Sequence, residues 1–325
     1  MSLPPAHYRR LIPADAAITS WRAPDGWTMR RFDWPAQTGG GIAAKTARGS
    51  ILFQTGRGDI FEKYLEAFAR WHDAGWSVSA VDWRGQGGSG RMSPDRHVGH
   101  IDHFGTYIAD LATFWPEWQA NTPGPHVLMG HSMGGHLALR GMVERVAIPD
   151  AAVLIAPMLG LHSPLGAGLG ERLARIVGGI GNPARAAWKG NERPATVTSR
   201  QALLTHDPDR YRDELFWHET VPEIVLGPPS WTWLIEAFAS TRVSRADPRL
   251  ATMTVPTLMI VADADKLVDP AAALAVAKRL PHAEVLRFGA ESAHEVLREA
   301  DGVRDKALAA IDAFLAQAAP AGRAA

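Results

Sequence analysis

The chain has 325 residues, 34 Lys and Arg against 34 Asp and Glu, no Cys, and 46% apolar residues. That length buries an ample core without staples, and the missing cysteines exclude thiolate nucleophiles, Cys-ligated zinc, iron–sulfur clusters and disulfides. The balanced charge argues against a nucleic-acid partner, which needs a positive surface to displace counterions.

The N-terminus, MSLPPAHYRRLIPADAAITS, has prolines and charges where a signal peptide needs an unbroken apolar stretch. Apolar runs such as Ala151–Ala156 and Ala271–Ala277 are too short to span a bilayer. The expectation is a cytoplasmic protein, with peripheral membrane contact left open.

Strands are expected at Ser50–Thr55, Val78–Trp83, His126–Gly130, Ala152–Ala156, Thr257–Ala262 and Glu284–Phe288. Several are continuous apolar runs, the mark of parallel strands buried on both faces. Between them, Ile60–Asp73 carries Phe61, Tyr64, Leu65 and Phe68 at helical spacing, and His103–Trp115 carries Phe104, Ile108, Leu111 and Phe114. The alternation predicts an α/β fold, a mostly parallel sheet flanked by helices.

Between Leu159 and about Arg249 the alternation stops. A glycine-rich passage gives way to a helical, aromatic stretch with Trp188, Trp217, Trp231, Trp233 and Phe238. This predicts a helical cap insertion at 159–249 between core parts 1–158 and 250–316, with 317–325 as a flexible tail. Residues 161–200 hold six Arg or Lys against two acids, which suits a solvated loop face and would also attract an anionic lipid surface. The four cap tryptophans either fill cores or line an acyl-chain tunnel.

Gly130-His131-Ser132-Met133-Gly134 stands between an apolar strand and a helical segment. In that context G-x-S-x-G is a sharp, strained turn that lifts a serine hydroxyl to the carboxyl edge of the sheet. A serine needs a base, and the base an orienting acid. His294 follows the strand Glu284–Phe288 by the short loop GAESAH, at the edge where Ser132 sits, whereas His282 precedes that strand. The loop after Thr257–Ala262 offers Asp263, Asp265 and Asp269. Asp263 is too close to the strand end and Asp269 abuts Pro270 as a helix cap, which leaves Asp265. Oxyanion donors are expected from the amide of Met133 and from Gly56-Arg57-Gly58-Asp59, with the Arg57 amide best placed.

His97, His100 and His103 are spaced by three around Asp102, but no H-E-x-x-H pattern accompanies them. Local hydrogen bonding is expected, with Asp102 as the N-cap of the following helix. No metal and no cofactor are expected.

At this point the chain resembles a known family, the capped α/β-hydrolases of the lysophospholipase and monoacylglycerol lipase group, also called the serine aminopeptidase group. It is most similar to the bacterial lysophospholipase branch. The segments that carry the likeness are QTGRGDIFEKY, VDWRGQGGSGR, HFGTYIADLATFW, LMGHSMGG, VADADKLVD and GAESAHEVLRE, with TSRQALLTHDPDRYRDELFWH and GPPSWTWLIEAF in the cap. The likeness runs from about residue 25 to 316. It implies a triad of Ser132, Asp265 and His294 and an oxyanion hole at Arg57 and Met133. Two departures stand out: Thr55 precedes Gly56 where many relatives have His, and Ala262 replaces the glycine usual three residues before the acid.

The expected function is ester hydrolysis of a lipid-like small molecule, a lysophospholipid or a monoacylglycerol, through an acyl-enzyme. A peptidase or acyltransferase on the same triad is the nearer alternative, and a non-catalytic ligand-binding protein the more distant one.

Overall fold

The computed structural model describes residues 5–37, 47–162, 167–188 and 197–321. One sheet of eight strands organises them: β1 (Ala17–Arg22), β2 (Thr28–Trp34), β3 (Gly49–Gln54), β4 (Trp76–Val81), β5 (His126–His131), β6 (Ala151–Ile155), β7 (Thr257–Ala262) and β8 (Ala283–Phe288). Their order across the sheet is β1-β2-β4-β3-β5-β6-β7-β8. From β4 to β8 all pairings are parallel, while β1–β2 and β2–β4 are antiparallel. The expected α/β class, with its mostly parallel sheet, holds.

β3, β5, β6 and β7 are buried at every residue, which is why they read as unbroken apolar runs. Helices cover both faces. On one, α1 (Leu65–Asp73) and α9 (Asp301–Ala318) set Phe68, Trp71, Ile311 and Leu315 against Phe53, Val153 and Ile260. On the other, α2 (Phe104–Ala120), α3 (Met133–Val143) and α8 (Pro270–Ala277) set Leu111, Leu139 and Val276 against Leu52, Leu128 and Met259.

Between Leu159 and Arg249 no strand joins the sheet among the described residues. That stretch carries α4 (Ala167–Gly178), α5 (Val197–Leu204), α6 (Pro208–Thr220) and α7 (Trp231–Ala246). Asp207 caps α6 and Ser230 caps α7, each accepting from the first-turn amides. α4 rests on α7 through small residues: Ala174 is buried, and a β-carbon on Gly178 would stand 2.9 Å from Ile235. Its large apolar side chains face outward instead, with Leu169, Leu173, Ile176, Val177 and the following Ile180 all exposed.

Several expected bounds shift. β1 and β2 escape the pattern because they lie at one margin of the sheet and expose Thr19, Ser20 and Arg22, so no apolar run marks them. β4 starts at Trp76 rather than Val78, since Trp76 and Ser77 already pair with Gly49 and Ser50. The stretch Ile60–Asp73 opens with a 3-10 turn at Phe61–Tyr64 before α1 begins, and α2 continues past Trp115 to Ala120. Asp102 does not cap α2: His103 takes that position, and Glu236 accepts from the Phe104 amide at 3.1 Å. α9 runs to Ala318 with Ala319 buried, so the helix continues into the expected tail and Ala319 anchors its end, and 322–325 lie outside the described residues. Among the described residues no helix is long and apolar enough to cross a membrane.

Candidate active site

Ser132 stands at the carboxyl end of β5, where the chain turns straight into α3. Its backbone has φ 54° and ψ −117°, a conformation a non-glycine residue holds only when its surroundings over-determine it. They do so here. A β-carbon on Gly134 would come within 2.2 Å of the Gln54 carbonyl oxygen, and one on Gly130 within 2.5 Å of the Gly134 carbonyl. The Ser132 amide donates to Ile155 O at 3.0 Å, and its carbonyl accepts from Met158 N at 2.9 Å. Met133 opens α3, where an amide has no carbonyl partner within the helix.

Asp265 lies in the loop after β7 and His294 in the loop after β8, at the same edge. His294 Nδ1 and Asp265 Oδ2 are 2.5 Å apart, and both side chains are buried. The second carboxylate oxygen accepts from the amides of Leu267 at 2.8 Å and Val268 at 3.1 Å, so the acid cannot rotate away. Burial pushes the Asp265 carboxyl up, but the His294 imidazolium and those two amides outweigh it and hold the group below its ordinary value. Burial disfavours the His294 cation as well; here Asp265, helped by Glu295 and Asp59, raises the imidazole above its ordinary 6.5. The other two carboxylates have separate tasks. Asp269 caps α8 by accepting from Ala271 and Ala272, and Asp263 pairs with exposed Arg287 at 2.7 Å.

The His294 ring packs against that of His131, the residue before the serine, with centroids 4.7 Å apart. His131 Nε2 donates to the His294 carbonyl at 3.2 Å. Asp265 and His294 are thus joined and set beside the serine turn. Among the described residues no hydrogen bond links Ser132 Oγ to the imidazole; such bonds are commonly loose before substrate is bound.

The loop after β3 closes the other side. A β-carbon on Gly56 would lie 3.1 Å from Ser132 Cβ and 3.3 Å from His131 Nδ1, so this backbone rests directly against the serine. Asp59 Oδ2 accepts from the Gly56 amide at 3.3 Å and from Tyr64 Oη at 2.5 Å. Gln86 Nε2 donates to Gly56 O at 2.7 Å, and Gln86 Oε1 accepts from Gly58 N at 3.1 Å. Arg57 extends toward the helical insertion, donating to Gly227 O at 2.9 Å and lying over the Trp233 ring.

Sequence reasoning missed these supports. Gln86 lies in the quoted segment VDWRGQGGSGR and His131 in the serine motif itself, so position marked both; nothing in a linear pattern says that the Tyr64 hydroxyl donates to a buried Asp59 carboxylate. The tryptophans do not line one tunnel. Trp217 belongs to the core on the α1 face, Trp188 is exposed, and Trp233 packs against Phe104. Trp233 and Ala237 instead continue an apolar cluster that begins at Met133 and includes Met158 and Val268. His100 shares hydrogen bonds with Ser230 at 2.7 Å and Asp102 at 3.1 Å, and His103 Nδ1 lies 3.1 Å from Glu236 Oε2.

Comparison with known proteins shows the family and the fold. A family model described as "Serine aminopeptidase, S33" matches residues 45–301. Lysophospholipase L2 of Escherichia coli (strain K12) is 32% identical over 295 residues, which cover 84% of this chain and 82% of that protein. A monoacylglycerol lipase of Mycolicibacterium smegmatis is 24% identical over 258 residues, covering 78% of this chain and 83% of that one. Among solved structures, a soluble variant of monoglyceride lipase from Saccharomyces cerevisiae superposes with a TM-score of 0.75 at 17% identity, covering 94% of this chain and 97% of that one. At that identity the likeness speaks to the fold, which is that of an α/β-hydrolase.

Proposed function

Because the chain belongs to the serine aminopeptidase family, we propose that it is a serine hydrolase cleaving carboxylic esters of lipid-like substrates, a lysophospholipid or a monoacylglycerol, through an acyl-enzyme. The observation that carries this reading is the buried 2.5 Å bond between His294 and Asp265 beside the strained serine turn. The apolar cluster from Met133 to Trp233 supports an acyl chain as the part of the substrate nearest the serine.

His294 Nε2 takes the Ser132 hydroxyl proton as Oγ attacks the ester carbonyl carbon. The Met133 and Arg57 amides hold the resulting oxyanion. As the bond to the alcohol oxygen breaks, His294 returns the proton to that oxygen and the glycerol-bearing fragment leaves. Water then gives a proton to His294, attacks the acyl carbon and releases the fatty acid, and the proton returns to Ser132. Asp265 fixes the tautomer and balances the imidazolium at each half-turn without taking the proton itself.

Residues 159–249 act as a cap over this edge of the sheet, with 1–158 and 250–316 as the core. The outward apolar face of α4, bordered by Arg172 and Arg175, supports peripheral contact with a membrane of anionic lipid. No other reading is favoured by a specific observation.

The test is fatty-acid release from lysophosphatidylcholine and from a monoacylglycerol of equal chain length, with Ser132→Ala as blank. Release from either, lost in the blank, supports the reading. Release that survives Ser132→Ala overturns it, and cleavage confined to amide substrates would transfer the same triad to a peptidase.

A further inference from the structure

Behind the site lies a buried ionic cluster that the reaction as written does not use. Lys63 Nζ meets Asp59 Oδ1 at 2.8 Å, Glu214 Oε2 at 3.0 Å and Glu295 Oε1 at 2.5 Å, all four side chains being nearly inaccessible. Arg298 binds Glu295 and lies 3.4 Å from Glu214, which also pairs with Arg200. The three carboxylates come from three places. Asp59 holds the Gly56 amide, Glu295 directly follows His294, and Glu214 belongs to α6.

We propose that Lys63 is a positioning residue: its ammonium ties the loop of Gly56 and Arg57 to the loop of His294, and screens the imidazole from the two carboxylates it holds. This rests on the reading of His294 as the general base. Isolated buried carboxylates are costly and each needs a cation. Asp59 and Glu295 both act on His294 in the direction that favours its cation, so a base that must be neutral to take a proton needs their charge offset. Among the described residues, the charged and titratable groups around the ring are Asp265 after β7, Asp59, Lys63 and Tyr64 after β3, His131 on β5, Glu295 and Arg298 on its own segment, and Glu214 on α6. Of the cations, Lys63 alone touches both Asp59 and Glu295.

The experiment compares the pH profile of kcat/KM for the wild-type enzyme, Lys63→Met and Glu295→Gln on a soluble ester, with circular dichroism as the check on folding. Lys63→Met should move the acid limb up by about one pH unit. Glu295→Gln removes a negative charge beside the ring and should move the limb down. If Lys63→Met does not fold, Lys63→Arg decides: the cation is kept, so the limb should stay at the wild-type value, and a limb moved up would overturn the proposal. Loss of rate with both limbs unmoved would overturn the proposal while leaving the base reading intact. An enzyme whose Ser132 takes no label from a fluorophosphonate would overturn both.

Discussion

His294 Nδ1 and Asp265 Oδ2 lie 2.5 Å apart in a setting where both groups are buried and the carboxylate has no freedom to swing. The sign of the consequence is definite. Asp265 raises the imidazole above 6.5, and only the neutral ring can take the serine proton. Activity therefore rises with pH through a value above 6.5, and kcat/KM measured from pH 5 to 9 should show its acid limb there. Asp265→Asn should bring that limb down and lower kcat by about 10⁴. A limb unmoved by this substitution would detach Asp265 from the base.

The turn at Ser132 is built by exclusion. Gly134 has the Gln54 carbonyl 2.2 Å from where a β-carbon would stand, and that atom is backbone in the middle of the sheet. Gly134→Ala should cost about 1–3 kcal/mol or more in denaturant unfolding and depress activity in the folded fraction. A stable, fully active Gly134→Ala protein would contradict the proposed geometry of the turn.

The outward face of α4 predicts a measurable lipid affinity. Ile176 and Ile180 are 63% and 67% exposed, and burying each in a bilayer interface is worth about 1.5–3 kcal/mol. Co-sedimentation with phosphatidylglycerol vesicles should fall by at least about tenfold in Ile176→Asp/Ile180→Asp. Turnover of a monomeric short-chain ester should persist. Vesicle binding equal to that of the wild type would remove α4 from the interface.

The Lys63 cluster predicts acid lability. Burial pushes the Asp59 and Glu214 carboxyls up, but Lys63 on Asp59, and Arg200 with Lys63 on Glu214, hold both well below their ordinary 3.8 and 4.5. Groups with lowered folded values stabilise the protein above their unfolded values, and that stability is lost as pH falls through the folded ones. The melting temperature should be nearly level down to about pH 5 and fall steeply below about pH 4. A level profile to pH 3 would show that the cluster contributes nothing to folding.

The edge proposed to be catalytic was legible because its residue pattern is local. The glycines around Ser132 are steric demands of one turn, Asp265 follows the fully buried apolar strand β7, and His294 follows β8, a partly exposed strand at the other margin of the sheet. β1 and β2 were not legible: they expose polar and charged residues at one margin of the sheet and lack that signature. Asp102 illustrates another limit. Its position suggested a cap, yet Glu236, distant in sequence, accepts from the first amide of α2. Lys63 was hidden for the same reason, since only Asp59 lies within helical reach of it and Glu214 and Glu295 arrive through the fold.

The proposed function stands or falls on Ser132 as a nucleophile activated by His294. The most direct measurement is peptide mass mapping after brief exposure to a fluorophosphonate, on the wild type, Ser132→Ala and His294→Ala. A single phosphonate adduct is expected on the peptide containing Ser132, absent from Ser132→Ala and formed far more slowly in His294→Ala. No adduct on the folded wild type, or an adduct at another serine with Ser132 unmodified, would contradict it.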